Sequence, residues 1–343
     1  MIKVQELDEK TRLLLERAGL STTIISIRNI SNGGNNRTYK LETVDGIFAV
    51  KSYFRQKSDH RDRLATEYAF LSYAKKVASV YVPIPYSKSD EDGIALYEFI
   101  DGSPITNVSE YEVMEACQFF KNLNQLPQKN DAIHLSNASE ACFSIRDHLD
   151  LVAKRIVMLQ KIKSACEEDN AAKSFIEKMS KQWQLILDKV NDLSVLYDID
   201  TEHLLEYSNR CISPSDFGFH NALKMPDSRI KFIDFEYAGW DDPAKLIADF
   251  FSQLAVPVSK IFFDSFSLET LSLFDQADKL LARAKILYPV YQIKWCCIAL
   301  NIFIPDHLAR RQFANPALDV AALKKSQLLK AESLLKSIKL FTQ

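Results

Sequence analysis

The chain has few of the features that mark a disulfide scaffold, a zinc protein or a nucleic-acid binder. Its six cysteines (Cys117, Cys142, Cys166, Cys211, Cys296 and Cys297) contain no Cys-x-x-Cys spacing and lie in apolar or helical surroundings. That pattern favours reduced structural thiols over zinc ligands or disulfides. His60, His134, His148, His203, His220 and His307 are dispersed, with no zinc-ligand spacing. Lysine and arginine number 43 against 45 aspartate and glutamate, a net charge of −2. Nothing in that balance attracts nucleic acid, and none is expected as a partner. The first ten residues carry charges where a signal peptide needs an apolar core, and no later stretch runs uncharged long enough to span a bilayer. A cytoplasmic location without membrane contact is therefore expected. No internal repeat or low-complexity segment stands out.

What is present is apolar material, 47% of 343 residues, enough for two lobes with their own cores. The most informative stretch is Ser213-Pro-Ser-Asp-Phe-Gly-Phe-His-Asn-Ala-Leu223, followed by Ile233-Asp-Phe-Glu-Tyr-Ala-Gly239. Transfer of a phosphoryl group from ATP is mostly positioning and charge neutralisation. One carboxylate must face the acceptor hydroxyl, and Asp216 is the candidate. An amide five positions on and a second carboxylate at a strand end can share the magnesium ions that bridge the phosphates, roles that fit Asn221 and Asp234. Between them, Ala222-Leu-Lys224, a Pro-Asp turn at 226–227 and Ile230 to Asp234 predict a short hairpin that brings Asn221 to Asp234. His220 adjoins Asn221 without a second histidine at ligand spacing, so a role in loop packing is expected.

The N-terminal part supplies strands and a polar turn in an order suited to a nucleotide. Ile24 to Ile30 reads as a strand, Ser31-Asn-Gly-Gly-Asn-Asn-Arg37 as a glycine-bearing turn, and Thr38 to Ser52 as a hairpin through Asp45-Gly46. Gly33 and Gly34 would let backbone amides approach phosphate oxygens with no Cβ in the way, although the turn is not a Gly-x-Gly-x-x-Gly match. Lys51 ends an apolar strand, a place that favours a phosphate-binding lysine. Arg61 to Leu71 predicts a helix with Leu64, Tyr68 and Leu71 on one face, and Glu67 is its best-placed acid, ahead of Asp62 and Glu91. Gly93 to Ile100 forms another apolar strand, broken at Asp101-Gly-Ser-Pro104.

In these motifs the sequence resembles the aminoglycoside phosphotransferase family, also called choline-kinase-like. Its members typically show His-Gly-Asp-x4-Asn and then Ile-Asp-Phe-Glu-x-Ala. The second motif is intact from Ile233; in the first, Pro214 and Ser215 replace the usual histidine and glycine. The resemblance, over about residues 24–255, implies an α+β fold of the bilobal protein-kinase-like kind, with a small antiparallel-sheet lobe (1–101) and a larger helical lobe (102–343). It implies ATP and magnesium as cofactors and a small-molecule hydroxyl as acceptor. It also implies an ion pair between Lys51 and Glu67 that aims the lysine at the phosphates, and a hinge in which main-chain atoms from Glu98 to Ile100 meet the adenine. Two alternatives stand beside this reading: a nucleotide-binding pseudokinase or scaffold, suggested by Pro214, and a kinase acting on a macromolecular hydroxyl.

Beyond residue 105 the pattern is helical: 111–123, 143–162, 172–193, 243–255, 269–300 and 317–341. Acids near Trp240-Asp-Asp242 either attract a cationic acceptor or cap the helix that starts at Pro243. The lysine-bearing terminal helix, with Leu328, Leu329, Leu334, Leu335 and Ile338, is expected to pack on the protein and not on a membrane surface.

Overall fold

The structure, a computed structural model, describes residues 4–30, 36–54, 61–126, 128–314 and 318–338. The backbone gathers into two compact units, neither contiguous in sequence. One comprises Met1–Thr106, Gln125–Ser136 and Pro214–Gly239; the other comprises Asn107–Asn124, Asn137–Ser213 and Trp240–Gln343.

The first unit is built on an antiparallel sheet of order β1-β2-β3-β5-β4. Its strands are β1 (Ile24–Asn29), β2 (Arg37–Thr43), β3 (Gly46–Ser52), β4 (Pro85–Ser89) and β5 (Ile94–Glu98). β2 turns into β3 at Asp45-Gly46, where Gly46 takes a φ of +135°, a backbone conformation open to glycine. Leu41, Phe48, Val50, Ile94 and Leu96 form the buried face with Leu14 and Leu15 of helix α1 (Val4–Arg17). The charged residues on either side of Leu13-Leu14-Leu15 hide α1 from a reading of the sequence. β4 is hidden as well. It opens on Pro85 with an irregular register between Pro85 and Ser87, and its place at the sheet edge tolerates the proline.

Helix α2 (Arg63–Val77) begins where the Asp62 side chain accepts the Ala65 amide, and it buries Leu64, Glu67, Phe70 and Leu71. Asp62 is thus a helix cap. The two-residue strand β6 (Ser103–Pro104) pairs with β8 (Ala222–Lys224), which pairs in turn with β9 (Ile230–Phe232). This is the hairpin expected from the sequence, closed by a Met225 amide to Arg229 carbonyl bond of 2.8 Å. Gly102 approaches it so closely that a Cβ would lie 3.0 Å from Leu223 Cβ and 3.1 Å from the Lys224 carbonyl oxygen.

The second unit is helical. Around α8 (Ala277–Ala299) pack α4 (Ile145–Leu159), α5 (Glu167–Leu196), α6 (Pro243–Phe250), α7 (Phe263–Leu271) and α10 (Val320–Ser337). α3 (Glu110–Asn124) lies against α7 and β7 (Cys211–Ser213), which pairs with β10 (Gly239–Asp241); α9 (Pro305–Ala314) precedes α10. Two expected helices end early. The stretch 269–300 breaks after Leu271, which lets Phe274 reach Phe120 with ring centroids 6.4 Å apart. The helix from 243 stops at Phe250, and soon after it the Gln253 side chain accepts the amides of Ala255 and Val256, a local turn that competes with helix. The span Ala277–Phe303 is long and apolar enough by length and composition to cross a membrane, yet 83% of its apolar window is buried inside the protein. It therefore reads as the core helix of this unit.

Candidate functional site

Lys51 lies on β3, opposite Thr38 and Ala95, with its side chain almost wholly buried. Its Nζ lies 2.7 Å from Glu67 Oε2 and 2.6 Å from Asp234 Oδ1. Burial alone would lower the ammonium pKa, but the carboxylates of Glu67, Asp234 and Glu236 outweigh it and hold Lys51 above the usual lysine range. Burial pushes Glu67 the other way, toward protonation, against the pull of Lys51. Glu67 is fixed on three sides. It accepts Lys51 Nζ, the Tyr53 hydroxyl at 2.8 Å and the Phe235 amide at 3.3 Å, while Phe70 one turn along α2 packs against Phe235 with ring centroids 4.7 Å apart and the planes tilted by 30°. Tyr53 in turn shares a 2.7 Å bond with Tyr97.

Asp234 sits just past β9 with a φ of +68°, a left-handed conformation that its short polar side chain tolerates. Its side chain is 43% exposed, so the carboxylate opposite Lys51 faces outward. The Ile233 amide donates to the Asn221 carbonyl at 2.9 Å, which places Asn221 beside Asp234 through the hairpin. Asn221 Nδ2 donates to the Asp216 main-chain oxygen at 3.1 Å and to Asp216 Oδ2 at 3.3 Å. Ser215 takes a φ of +67°, the conformation for which the family pattern has glycine.

Three supporting side chains, Tyr53, Asn36 and Glu236, receive no role from the sequence, and His220 receives only one in loop packing. Asn36 donates to Glu236 and accepts the Phe54 amide at 3.2 Å, which ties the start of β2 to the Asp-Phe-Glu segment. His220 does more than pack the loop. Its Nε2 lies 3.1 Å from Asp216 Oδ1, and the i,i+4 spacing of the two residues was the only signal in the sequence. Gly33 and Gly34 lie outside the described residues.

At the end of β5, the Glu98 side chain accepts Lys231 Nζ at 2.8 Å and the Ile84 amide at 3.1 Å. The Glu98 amide bonds to the Ile84 carbonyl at 2.8 Å. The main-chain amide and carbonyl of Ile100 have no hydrogen-bond partner among the described residues.

Within the second unit, the acids after Trp240 have closed environments. Asp242 Oδ1 accepts the Ala244 amide at 2.8 Å as the N-cap of α6. Its Oδ2 takes Arg283 Nε at 2.6 Å and His148 Nε2 at 3.1 Å, and His148 Nδ1 meets the Tyr291 hydroxyl at 2.7 Å. Burial opposes ionisation of Asp242, but Arg283 and His148 keep it well below the ordinary carboxylate range. Asp241 is paired with Lys245, and burial, the larger influence, pushes it up to about 6. Both side chains are 0% exposed. Helix capping and packing account for both acids, and neither has an oxygen open to a cationic acceptor.

Residues 26–266 match the model of the phosphotransferase enzyme family. Choline kinase from Cryptosporidium parvum Iowa II has a similar structure, with 12% identity, a TM-score of 0.59 and coverage of 97% of this chain and 96% of that one. Spectinomycin phosphotransferase, in complex with ADP and spectinomycin, shares 14% identity at a TM-score of 0.58, covering 97% and 98%. Choline kinase LicA from Streptococcus pneumoniae shares 17% at a TM-score of 0.53, covering 95% and 99%. No curated protein sequence matches. At these identities the structural likenesses speak for the fold, which is kinase-like α+β, and the family model speaks for the lineage. The chain belongs to the phosphotransferase enzyme family and is a kinase with an alcohol group as acceptor.

Proposed function

We propose that this chain is an ATP- and Mg²⁺-dependent cytoplasmic kinase that moves the γ-phosphoryl group of ATP to a hydroxyl of a small molecule. The observation that carries the reading is Lys51 Nζ held between Glu67 and the outward-facing Asp234. A cation fixed by a buried partner and shared with an exposed carboxylate suits a phosphate chain and its metal.

Asp216 accepts the proton of the acceptor hydroxyl and orients its oxygen toward the γ-phosphorus, while Asn221 steadies the carboxylate. Lys51 neutralises charge on the α- and β-phosphates, with Glu67, Tyr53 and the Phe235 amide holding it in place. The Glu98 carbonyl and the Ile100 amide meet the adenine edge. The amide of Glu98 is already engaged by Ile84, and the amide of Ile100 has no partner among the described residues. Gly33 and Gly34 belong to the turn that covers the phosphates.

The donor set fits magnesium. Asn221 donates through Nδ2 and keeps its amide oxygen, and Asp234 meets Lys51 through Oδ1 and keeps Oδ2. Two hard oxygens are what a Mg²⁺ held chiefly by phosphates and water asks of a protein. When bound, the ion supplies charge neutralisation across the phosphates. No group of three or more His, Cys, Asp or Glu converges among the described residues.

Calorimetric titration with ATP, with and without Mg²⁺, tests the reading. Saturable Mg²⁺-dependent binding is expected, lost or weakened in Asp234→Asn and retained in Asp216→Asn, with phosphoryl transfer abolished in the latter. Absence of nucleotide binding would leave a scaffold, and normal transfer by Asp216→Asn would remove that residue from its role.

A further inference from the structure

The Asp216 loop lacks the side-chain brace that a histidine at position 214 would give, because Pro214 has no side-chain donor and no backbone N–H. The loop also holds a non-glycine residue, Ser215, at a φ of +67°. A loop under that strain keeps its conformation only where its surroundings fix it. One fixing contact comes from the other side. His220 stands in the short 3-10 turn Phe219–Asn221, anchored by buried Phe219, whose ring lies 6.3 Å from that of Phe232, and by the Asn221 amide to Gly218 carbonyl bond. From there its Nε2 reaches Asp216 Oδ1 at 3.1 Å. A carboxylate oxygen only accepts, so Nε2 carries the hydrogen of this contact. The other ring nitrogen, Nδ1, is buried with no hydrogen-bond partner among the described residues. A ring that leaves one nitrogen buried and unbonded while the other meets Asp216 is held by that single polar contact, and its position is set from the hairpin side of the loop.

We infer that His220 is a positioning residue for Asp216. Its Nε2–H orients Oδ1 of the carboxylate while Asn221 orients Oδ2, a pair of donors from adjacent residues that replaces a brace from position 214. This inference rests on the proposed role of Asp216. Its content is that transfer depends on a donor at the His220 Nε2 position and not on the bulk of the ring.

Glutamine carries an amide nitrogen near the place of Nε2, and leucine fills similar space without a donor. MgATP turnover with water as acceptor, ADP affinity and melting temperature are compared for the full chain, His220→Gln and His220→Leu. His220→Leu is expected to lower kcat about 10- to 100-fold, the scale of a misplaced catalytic group, with ADP affinity and KM for MgATP unchanged. His220→Gln is expected to recover kcat to within about threefold of the parent. Equal turnover in all three proteins, or equal losses in Gln and Leu, would overturn the inference. If the parent binds MgATP but passes no phosphate to water, the transfer reading stands untouched by that result, and the pairing is read directly from the ring ¹⁵N spectrum of histidine. An Nε2-protonated His220 signal that moves in Asp216→Asn supports the contact, and an Nδ1-protonated or unresponsive ring overturns it.

Discussion

The two units each bury a cluster of lysine and carboxylates, and the clusters differ in whether they close. In the second unit, Asp241, Asp242 and Asp249 meet Lys245, Arg283, Lys294, His148 and the Trp295 indole with side-chain exposures of 0 to 7% where ion pairs form. The Asp242 oxygens are both occupied from within. In the first unit, Lys51 and Glu67 are nearly as deeply buried, but Asp234 is 43% and Asp216 36% exposed on their side chains. Asp234 and Asp241 are close neighbours in the sequence and belong to opposite cases. A closed cluster satisfies its charges and holds helices together; one with an outward carboxylate keeps capacity for a ligand. The difference lies in burial and pairing, not in residue type.

The comparison breaks most sharply at Asp242. Asp242→Asn leaves Arg283 buried without its counter-charge, and unfolding by urea should show a loss of about 3–5 kcal/mol with nucleotide affinity unchanged. The folded carboxyl is held below its ordinary value of 3.8, so its stabilisation is present above that pH and is lost as pH falls through and below it. The gap between parent and variant should therefore be flat from pH 5 to 8 and shrink in acid. A gap that grows in acid would contradict the assignment.

Lys51→Met tests the open cluster. Turnover should fall about 10²–10³-fold, or roughly 2.7–4 kcal/mol, the cost of removing one preorganised donor, together with weaker MgATP binding in the same titration. Turnover within twofold of the parent would make Lys51 as structural as Lys245.

Smaller effects sharpen the picture of how the open site is framed. Gly102→Ala presses a Cβ against Leu223 and the Lys224 carbonyl, and the strand pairing should give way at a cost of about 1–2 kcal/mol, read as a lower melting temperature. A variant as stable as the parent would mean that β6 shifts freely. Ser215→Gly relieves a left-handed serine and should stabilise the first unit by about 0.5–1 kcal/mol after the greater chain entropy of glycine is offset. Thermal scans that show destabilisation would point to a bond made by the serine side chain.

Much of the site was legible because its chemistry is local in sequence. The Asp216 to Asn221 spacing, the Pro-Asp turn and the alternation after Ile230 together foretell a hairpin, and that hairpin places Asn221 beside Asp234. Lys51 stood out as a lysine at the end of an apolar strand, and Glu67 as the acid on the buried face of the next helix. His220, Asn36 and Tyr53 did not stand out. Their partners are Asp216, Glu236 and the Glu67–Tyr97 pair, and a histidine, asparagine or tyrosine carries no periodic signature of the atom it bonds. α1 and β4 were lost to frequent charges and to a proline that only an edge strand accepts.

By itself the sequence determined most of the order of strands and helices, α1 and β4 excepted, because apolar periodicity and turn residues act over a few positions and bury one face of each element. It also determined which residue types the proposed function assigns to phosphate and metal. The tertiary structure decided which of them meet. Lys51 pairs with Asp234 across 183 residues, and the acids at 241 and 242 were closed off by Lys245, Arg283 and His148. Charge pairing and desolvation depend on distance in space, and the chain fixes that distance only once its cores have formed.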